Sequence, residues 1–465
     1  MASRLLLSNA IKASRPSWVS QAVRPLSISA ATQAARSSAL KNGLTVVTDS
    51  DLSAQTASIG VYVDAGSRSE TINGTVHLLE QVALKGTNSR SAKVLDAQVE
   101  SIGASLDVNA GREQIAYTAK SLAADLPKSI EVLADVIQNA SLNVDAVDAA
   151  RSASLAGSES PAEIVFEHLH ATAFQGSSLG RKFTGIADSV QTLTRDDLAN
   201  FVKKNYTTDR MVLVGAGNVD HDALVALAEK HFNQISASVE PTGLGKSNKF
   251  APSFIGSEVR LQDDTMEQAH IVLAVEGCSR SSPDHYTLEV MKTIIGSWDR
   301  SLGAAAHTSS RLAAIVNDNK FANSFVSFNK AYTDTGLFGM YFVTENNDCQ
   351  DDFVHFLQKE WARLSASVTD VEVEQARQKL KASLRLNLDG PSAVAEDLGR
   401  QLAATGKHDS VEVIEKALNK ITAADVRRVA SEYLWDREIA FVGLGPIECL
   451  PDYGRIRGNM SWNRV

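Results

Sequence analysis

Short apolar runs of period two alternate along the chain with longer ones of period 3.6, and the alternation predicts its elements. LTVVTDS from Leu44 reads as a strand, and TASIGVYVDAGSRS from Thr56 as a second whose small residues suit a buried place in a sheet. TVHLLEQVALKGT from Thr75 sets Leu78, Leu79 and Val82 at helical spacing. VESIGASLDVNA from Val99 and EQIAYTAKSL from Glu113 read as a strand pair around the turn at Asn109-Ala110-Gly111-Arg112. ADLPKSIEVLADVIQNA then places Ile130, Leu133 and Ile137 on one helix face. The order is strand, helix, strand pair, helix.

Past residue 250 the order returns. Residues 56–69 and 268–281 share six identities in fourteen at a constant offset of 212. The stretch LTRDDLANFVKKNYTTDRMVLVGAG from Leu193 likewise resembles ITAADVRRVASEYLWDREIAFVGLG from Ile421. The chain is thus one fold written twice. The Ser-, Pro- and Gly-rich stretch 236–254 separates the copies as a linker. The expected domains are 34–235 and 259–465, joined by residues 236–258 and preceded by a leader of residues 1–33. Helices mixed with adjacent strand pairs predict an α+β class, each half a mostly antiparallel sheet flanked by helices.

The first 48 residues carry Arg4, Lys12, Arg15, Arg24, Arg36 and Lys41 and no acidic residue, with many Ser and Ala. With Leu5, Leu6, Leu7, Ile11, Trp18 and Val19 as apolar material, that start reads as a mitochondrial targeting segment. Removing Arg4, Lys12, Arg15 and Arg24 takes the formal charge from −9 to −13, and an acidic chain argues against nucleic acid as partner. No run of 18 apolar residues is present, so the sequence predicts no transmembrane helix. Cys278, Cys349 and Cys449 are widely spaced, form no C-x-x-C and read as inert thiols.

Candidate chemistry concentrates on one helix. His77, Glu80 and Gln81 fall at i, i+3 and i+4, on a single face. This is the layout of an inverted zinc-protease helix, H-x-x-E-H, with Gln81 in place of the second imidazole. A neutral amide oxygen is a poor donor to zinc, which takes three protein ligands and a water in a catalytic site. In the second copy the same places hold Glu289, Lys292 and Thr293, and a protonated lysine there would repel a cation. Gly215-Ala216-Gly217 after the strand MVLV suggests a dinucleotide turn, but Gly443-Leu444-Gly445 repeats it, so a duplicated turn is the better account. His168 and His170 lie on different faces of one helix and are expected to be packing residues, as are Asn329 and Tyr332.

On NGLTVVTDS, the Thr75 helix, VESIGASLDVNAGREQ, VFEHLHATAFQG, SWDRSLG, AYTDTGLFGMYFV and GLGPIECLPDY, the chain resembles the pitrilysin-type metallopeptidase family. Within it, the resemblance is to the branch that holds processing-peptidase β-subunits and the core subunits of respiratory complex III. It implies two homologous α+β domains hinged by a linker, forming half of a clam-like shell. It puts the family's first ligand on His77, its general base on Glu80, its second ligand on Gln81 and its distal glutamate on Gly157, with the neighbouring acidic position on Ala150. Glu159 or Glu163 becomes an alternative ligand if a gap is placed near Gly157. The donor set therefore predicts no metal and no cofactor, and a non-catalytic scaffold rather than an enzyme. The implied partners are a core protein 2-like subunit, cytochrome b and other complex III subunits, reached peripherally on the matrix side of the inner membrane. The alternative is a β-type processing peptidase with an altered zinc site.

Overall fold

In the computed structural model the described residues are 35–157, 159–238, 243–245, 251–302, 310–345 and 347–462. The leader and parts of the linker lie outside them. Among the described residues twelve strands build two sheets. The first holds β1 (Arg36–Ala39), β2 (Thr45–Ser50), β3 (Thr56–Val63), β4 (Ser105–Ala110), β5 (Ile115–Leu122) and β6 (Met211–Gly217), in the order β1-β2-β6-β3-β5-β4. The second holds β7 (Ser257–Gln262), β8 (Ala269–Gly277), β9 (Ser297–Asp299), β10 (Ser324–Ala331), β11 (Gly336–Thr344) and β12 (Ile439–Gly445), in the order β7-β12-β8-β11-β10-β9. Each sheet has one parallel pair, β2 with β6 and β7 with β12, and is otherwise antiparallel. The expected α+β class with two mostly antiparallel sheets is what the chain forms. The expected strand pair is β4 with β5, though Val99–Ser101, read from sequence as strand, closes a helix, α2 (Ala92–Ser101), that follows α1 (Thr75–Val82).

The central strand β3 explains its own composition. Ala57, Ile59, Val61 and Val63 point into the core under α1 and α3 (Leu126–Asn139), whereas Tyr62 points into a second core on the opposite face. A strand buried on both faces reads as a near-continuous apolar run. The repeated Gly-x-Gly ends β6 and β12, and both second glycines are left-handed, Gly217 at φ +87° and Gly445 at φ +105°. A Cβ on Gly217 would lie 2.5 Å from the Thr56 carbonyl oxygen, so the turn needs glycine.

Sequence periodicity gives no hint of what covers the second face of each sheet. After α4 (Val144–Ala156) comes α5 (Pro161–Ala173), whose Val165, Leu169 and Ala173 pack on Val272, Ala274, Ala440 and Val442 of the second sheet. In return, the helix Pro391–Thr405 sets Ala395, Leu398, Leu402 and Ala403 against Val47, Tyr62, Val212 and Val214 of the first sheet. Its Gly399 lets the Tyr62 ring lie against the helix backbone, for a Cβ there would be 2.1 Å from a ring carbon. Burying a Val or Leu side chain is worth roughly 1.5–3 kcal/mol, so each exchanged helix contributes on the order of the 5–15 kcal/mol net stability of a whole protein. The halves therefore hold each other directly as well as through the connecting chain, and 34–465 forms one compact unit.

An ion pair closes the seam. Arg68, its side chain fully buried, donates to both oxygens of Asp334 in the β10–β11 turn at 2.9 and 2.8 Å and to Glu113 Oε1 at 2.6 Å. Glu113 also accepts from the Thr333 amide at 3.1 Å. Removing one member of such a set strands the rest, at a cost of about 3–5 kcal/mol. Arg68→Ala should lower the urea midpoint accordingly. Asp334→Ala should add much less in that background than alone, as a double-mutant cycle would show.

Candidate functional site

Helix α1 buries Val76, Leu78, Leu79 and Val82 and turns His77, Glu80 and Gln81 to the other side, as the spacing predicts. Its N-terminus is capped from before the helix. Glu70 Oε1 accepts from the Gly74 amide at 3.1 Å and from Asn73 Nδ2 at 3.0 Å, and Oε2 from the Val76 amide at 3.2 Å. A carboxylate there satisfies free helical N–H groups and meets the positive end of the helix dipole. Burial pushes the Glu70 carboxyl up to about 7, against those hydrogen bonds, which pull it down.

The three face residues bond to one another and to the sheet edge. Gln81 Nε2 donates to His77 Nε2 at 2.8 Å, which leaves the imidazole proton on Nδ1. That Nδ1 is buried without a hydrogen-bond partner, 3.9 Å from Glu80 Oε2. Burial lowers the pKa of His77, so it is neutral at physiological pH. Glu80 Oε1 accepts the Ala110 amide at 3.0 Å, tying α1 to the last residue of the edge strand β4, and burial raises its pKa.

Around this face the structure assembles residues that the sequence had kept apart. Residues 181–185 cross over it as a strap. Phe183 meets the His77 ring edge-on at 5.6 Å between centroids, and its amide donates to Glu167 Oε2 at 2.7 Å. Lys182 Nζ lies 2.9 Å from Glu159 Oε1, which also accepts Thr184 Oγ1 at 2.7 Å. Asn73 Nδ2 donates to the Lys182 carbonyl at 2.9 Å and its Oδ1 accepts the Ile186 amide at 3.0 Å, pinning the strap to the start of α1. Burial would raise the Glu159 carboxyl, but the bonds from Lys182 and Thr184 and the lysine charge hold it below the usual carboxylate range. Sequence reading missed Lys182, Phe183, Glu167 and Glu70. The only local signal was GRKFTG, a short segment bounded by Gly180 and Gly185.

The other candidates separate. Gly157 ends α4 in the left-handed region, φ +60°, exposed and with no atom near where a Cβ would be. Ala150 is buried in the core of the first half. Glu163 forms a capping box with Ser160 at the start of its own helix, accepting the Ser160 amide at 2.8 Å. His170 is buried between the Phe166 carbonyl and the Tyr332 hydroxyl, each at 2.6 Å, so both are packing residues as expected. Asn329 donates to Glu289 at 3.0 Å, and Lys292 pairs with the same carboxylate at 3.1 Å.

A catalytic zinc takes three protein donors. The face offers one imidazole and an amide; Gly157 brings no donor, Glu159 is taken up by Lys182 and Thr184, and Glu163 by Ser160. Among the described residues no group of three or more His, Cys, Asp and Glu could share a metal ion. The residues present do not fit a resident zinc.

Residues 45–185 match the family described as Insulinase (Peptidase family M16), and residues 192–380 match Peptidase M16 inactive domain. The mitochondrial-processing peptidase subunit beta of Lentinula edodes is 49% identical over 431 residues, 91% of this chain and 92% of that protein. The chain belongs to the M16 peptidase family. The human mitochondrial-processing peptidase subunit beta is 39% identical over 436 residues, 92% of this chain and 88% of its own. A chain in the solved structure of complex III2 from Candida albicans with Inz-5 bound superposes with a TM-score of 0.81 at 32% identity, over 92% of this chain and 99% of that one. The two halves, one a peptidase domain and one its inactive counterpart, account for the duplication.

These M16 relatives correct the expectation of a non-catalytic chain. Relatives at 39–49% identity over most of the length carry the name of a peptidase subunit, which points to an enzyme. The expectation had equated a lost zinc donor with a lost activity. Donor loss bears on metal affinity, whereas His77 and Glu80 keep their places on the face and Glu80 keeps its grip on the sheet edge.

Because Glu70 titrates higher in the folded chain than its ordinary 4.5, its contribution to stability is complete below that pH and is lost as pH rises towards 7. Glu70→Gln should flatten the fall of Tm with pH between 4.5 and 7, read by thermal melts in matched buffers.

Proposed function

We propose that the chain is a β-type processing-peptidase subunit that acts on extended, basic leader segments of mitochondrial proteins and works within a complex III assembly. Glu80 is the observation that carries this reading. It lies half-buried on α1 and holds the end of β4, the strand at the open edge of the first sheet. An open edge offers unpaired N–H and C=O groups to an extended peptide. A peptide added along β4 passes beside the carboxylate that would take a proton from an attacking water. The net charge of −9 favours a basic substrate.

The assembly half of the proposal rests on the full-length likeness to a complex III2 chain, with a TM-score of 0.81. In it the chain pairs with a core protein 2-like subunit and lies against cytochrome b, peripheral to the inner membrane on the matrix side. No described helix is long and apolar enough to cross a bilayer, so contact with the membrane runs through those partners.

The full chain, purified with an α-type partner, should cleave a synthetic leader peptide. Glu80→Gln should cut the rate by about 10²–10⁴-fold, the usual range for a general base, and leave peptide binding within twofold. An unchanged rate in that variant, or no cleavage by the unaltered pair, would overturn the peptidase reading. Comigration of the chain with haem b and haem c in detergent-solubilised native complexes tests the assembly; a small soluble heterodimer alone would refute it.

A further inference from the structure

One arginine at the seam has no counter-ion. Arg68 is held by Asp334 and Glu113, and Arg112, in the β4–β5 turn, donates to Glu167 Oε1 at 2.7 Å. Arg280, which follows β8, is half-buried, and among the described residues no hydrogen bond or ion pair engages its guanidinium. It lines a cavity of about 150 Å³ between the halves. The first half supplies Asn109, Glu113 and Gln114 to that lining, the second Arg280 and Tyr332, and the exchanged helix Pro391–Thr405 supplies Arg400. Among the described residues Glu113 is the one carboxylate of the lining, and its oxygens are taken by Arg68 and the Thr333 amide. The walls are tied together by the Arg280 amide on the Tyr332 carbonyl at 2.8 Å and by Gln114 Nε2 on the Arg400 carbonyl at 3.2 Å. Arg400 itself pairs with Glu396, one turn back on its own helix, in an exposed contact of 2.7 Å that contributes little.

We infer that this seam cavity binds a small oxyanion, a carboxylate or a phosphate, with Arg280 as its main ligand and Arg400, Asn109 and Gln114 as further donors. A chain of net charge −9 sets two arginines and two carboxamides around one cavity and consumes the only carboxylate there, so the lining offers an excess of donors. The planar fork of a guanidinium matches a carboxylate or a phosphate with two parallel hydrogen bonds. The volume sets the size of the ligand, for pockets that take drug-sized molecules run to roughly 300–1,000 Å³. Because the donors come from both halves, the anion bridges the seam, and a ligand that binds only the folded chain stabilises it by mass action. The site uses neither Glu80 nor a peptide substrate, so it is independent of the peptidase reading.

The full chain, dialysed free of both anions, is titrated calorimetrically with succinate and, separately, with inorganic phosphate at neutral pH and constant ionic strength, and its Tm is followed in parallel. One saturable site per chain is expected, with a Tm that climbs as the anion fills it; the anion that saturates at the lower concentration identifies the source of the oxyanion. Arg280→Gln should weaken binding about tenfold or more, as the loss of a charge-assisted fork implies, and remove most of the rise in Tm. Arg280→Lys, which keeps the charge without the fork, should recover only part of the affinity. Arg385→Gln, in an exposed pair with Glu415 outside the cavity, should leave binding unchanged. The Arg400 side chain is 48% exposed, so Arg400→Gln carries the same test, with a smaller loss, if Arg280→Gln melts early. No saturable binding of either anion, binding that the Arg280→Gln chain retains in full, or an equal loss in Arg385→Gln would each overturn the inference.

Discussion

Two sheets that are apolar on both faces must each be covered twice, and this chain meets the requirement by exchanging one helix between its halves. A sheet face carrying Tyr62, Val212 and Val214, or one carrying Val272, Ala440 and Val442, is too apolar to leave in water. The equivalent helix of each copy, α5 and Pro391–Thr405, begins at a proline in its first turn and lies on the other copy's sheet. Arg68 on Asp334 then locks the seam that the exchange creates. The pairing is directional where the burial is not: apolar packing alone would tolerate a sliding seam, whereas a bidentate guanidinium fixes it.

That exchange also builds the functional face. Because α5 must lie on the second sheet, the segment leading into it carries Glu159, and the turn after it brings the strap back across α1. The close approach of Gly74 to Gly185 makes room for the crossing: a Cβ on Gly185 would sit 2.9 Å from the Gly74 Cα. The position of Lys182 beside His77 is thus a result of how the sheets are covered, and it could not have been set by the α1 sequence alone.

This is also why the sequence told only part of the story. The duplication, the α+β class, β4 paired with β5 and the single face of His77, Glu80 and Gln81 were all legible, because each is written in local periodicity or in self-similarity at fixed offset. Gly157, onto which the resemblance puts the distal ligand, lies at the end of α4 in the left-handed region. The helix exchange was illegible, since α5 and Pro391–Thr405 have the same amphipathic pattern whichever sheet they cover. Lys182 and Glu159 lie 23 residues apart and carry no common motif. Glu163 illustrates the reverse error: its spacing from Gly157 made it a ligand candidate, but Ser160 three residues earlier is the sequence mark of a capping box, and that local bond wins. The expectation of an inactive chain failed for a related reason, in that it scored the face by its metal donors alone and gave no weight to the strand edge that Glu80 holds.

The two copies arrive at one electrostatic solution by different routes. In the second, Lys292 reaches Glu289 from one turn along the same helix, at 3.1 Å. In the first, Lys182 reaches Glu159 at 2.9 Å from a separate strap. A half-buried carboxylate beside a packed helix costs free energy unless a cation or hydrogen-bond donors compensate it. In each half an ammonium supplies that compensation. The consequence differs between them. In the second half the lysine sits among the positions equivalent to the functional face and fills it. In the first it stands to one side on Glu159, which Thr184 also holds, and Glu80 accepts a backbone amide at the sheet edge. The asymmetry leaves one half with a carboxylate still directed at a strand edge, which is the half that a peptide-handling function requires.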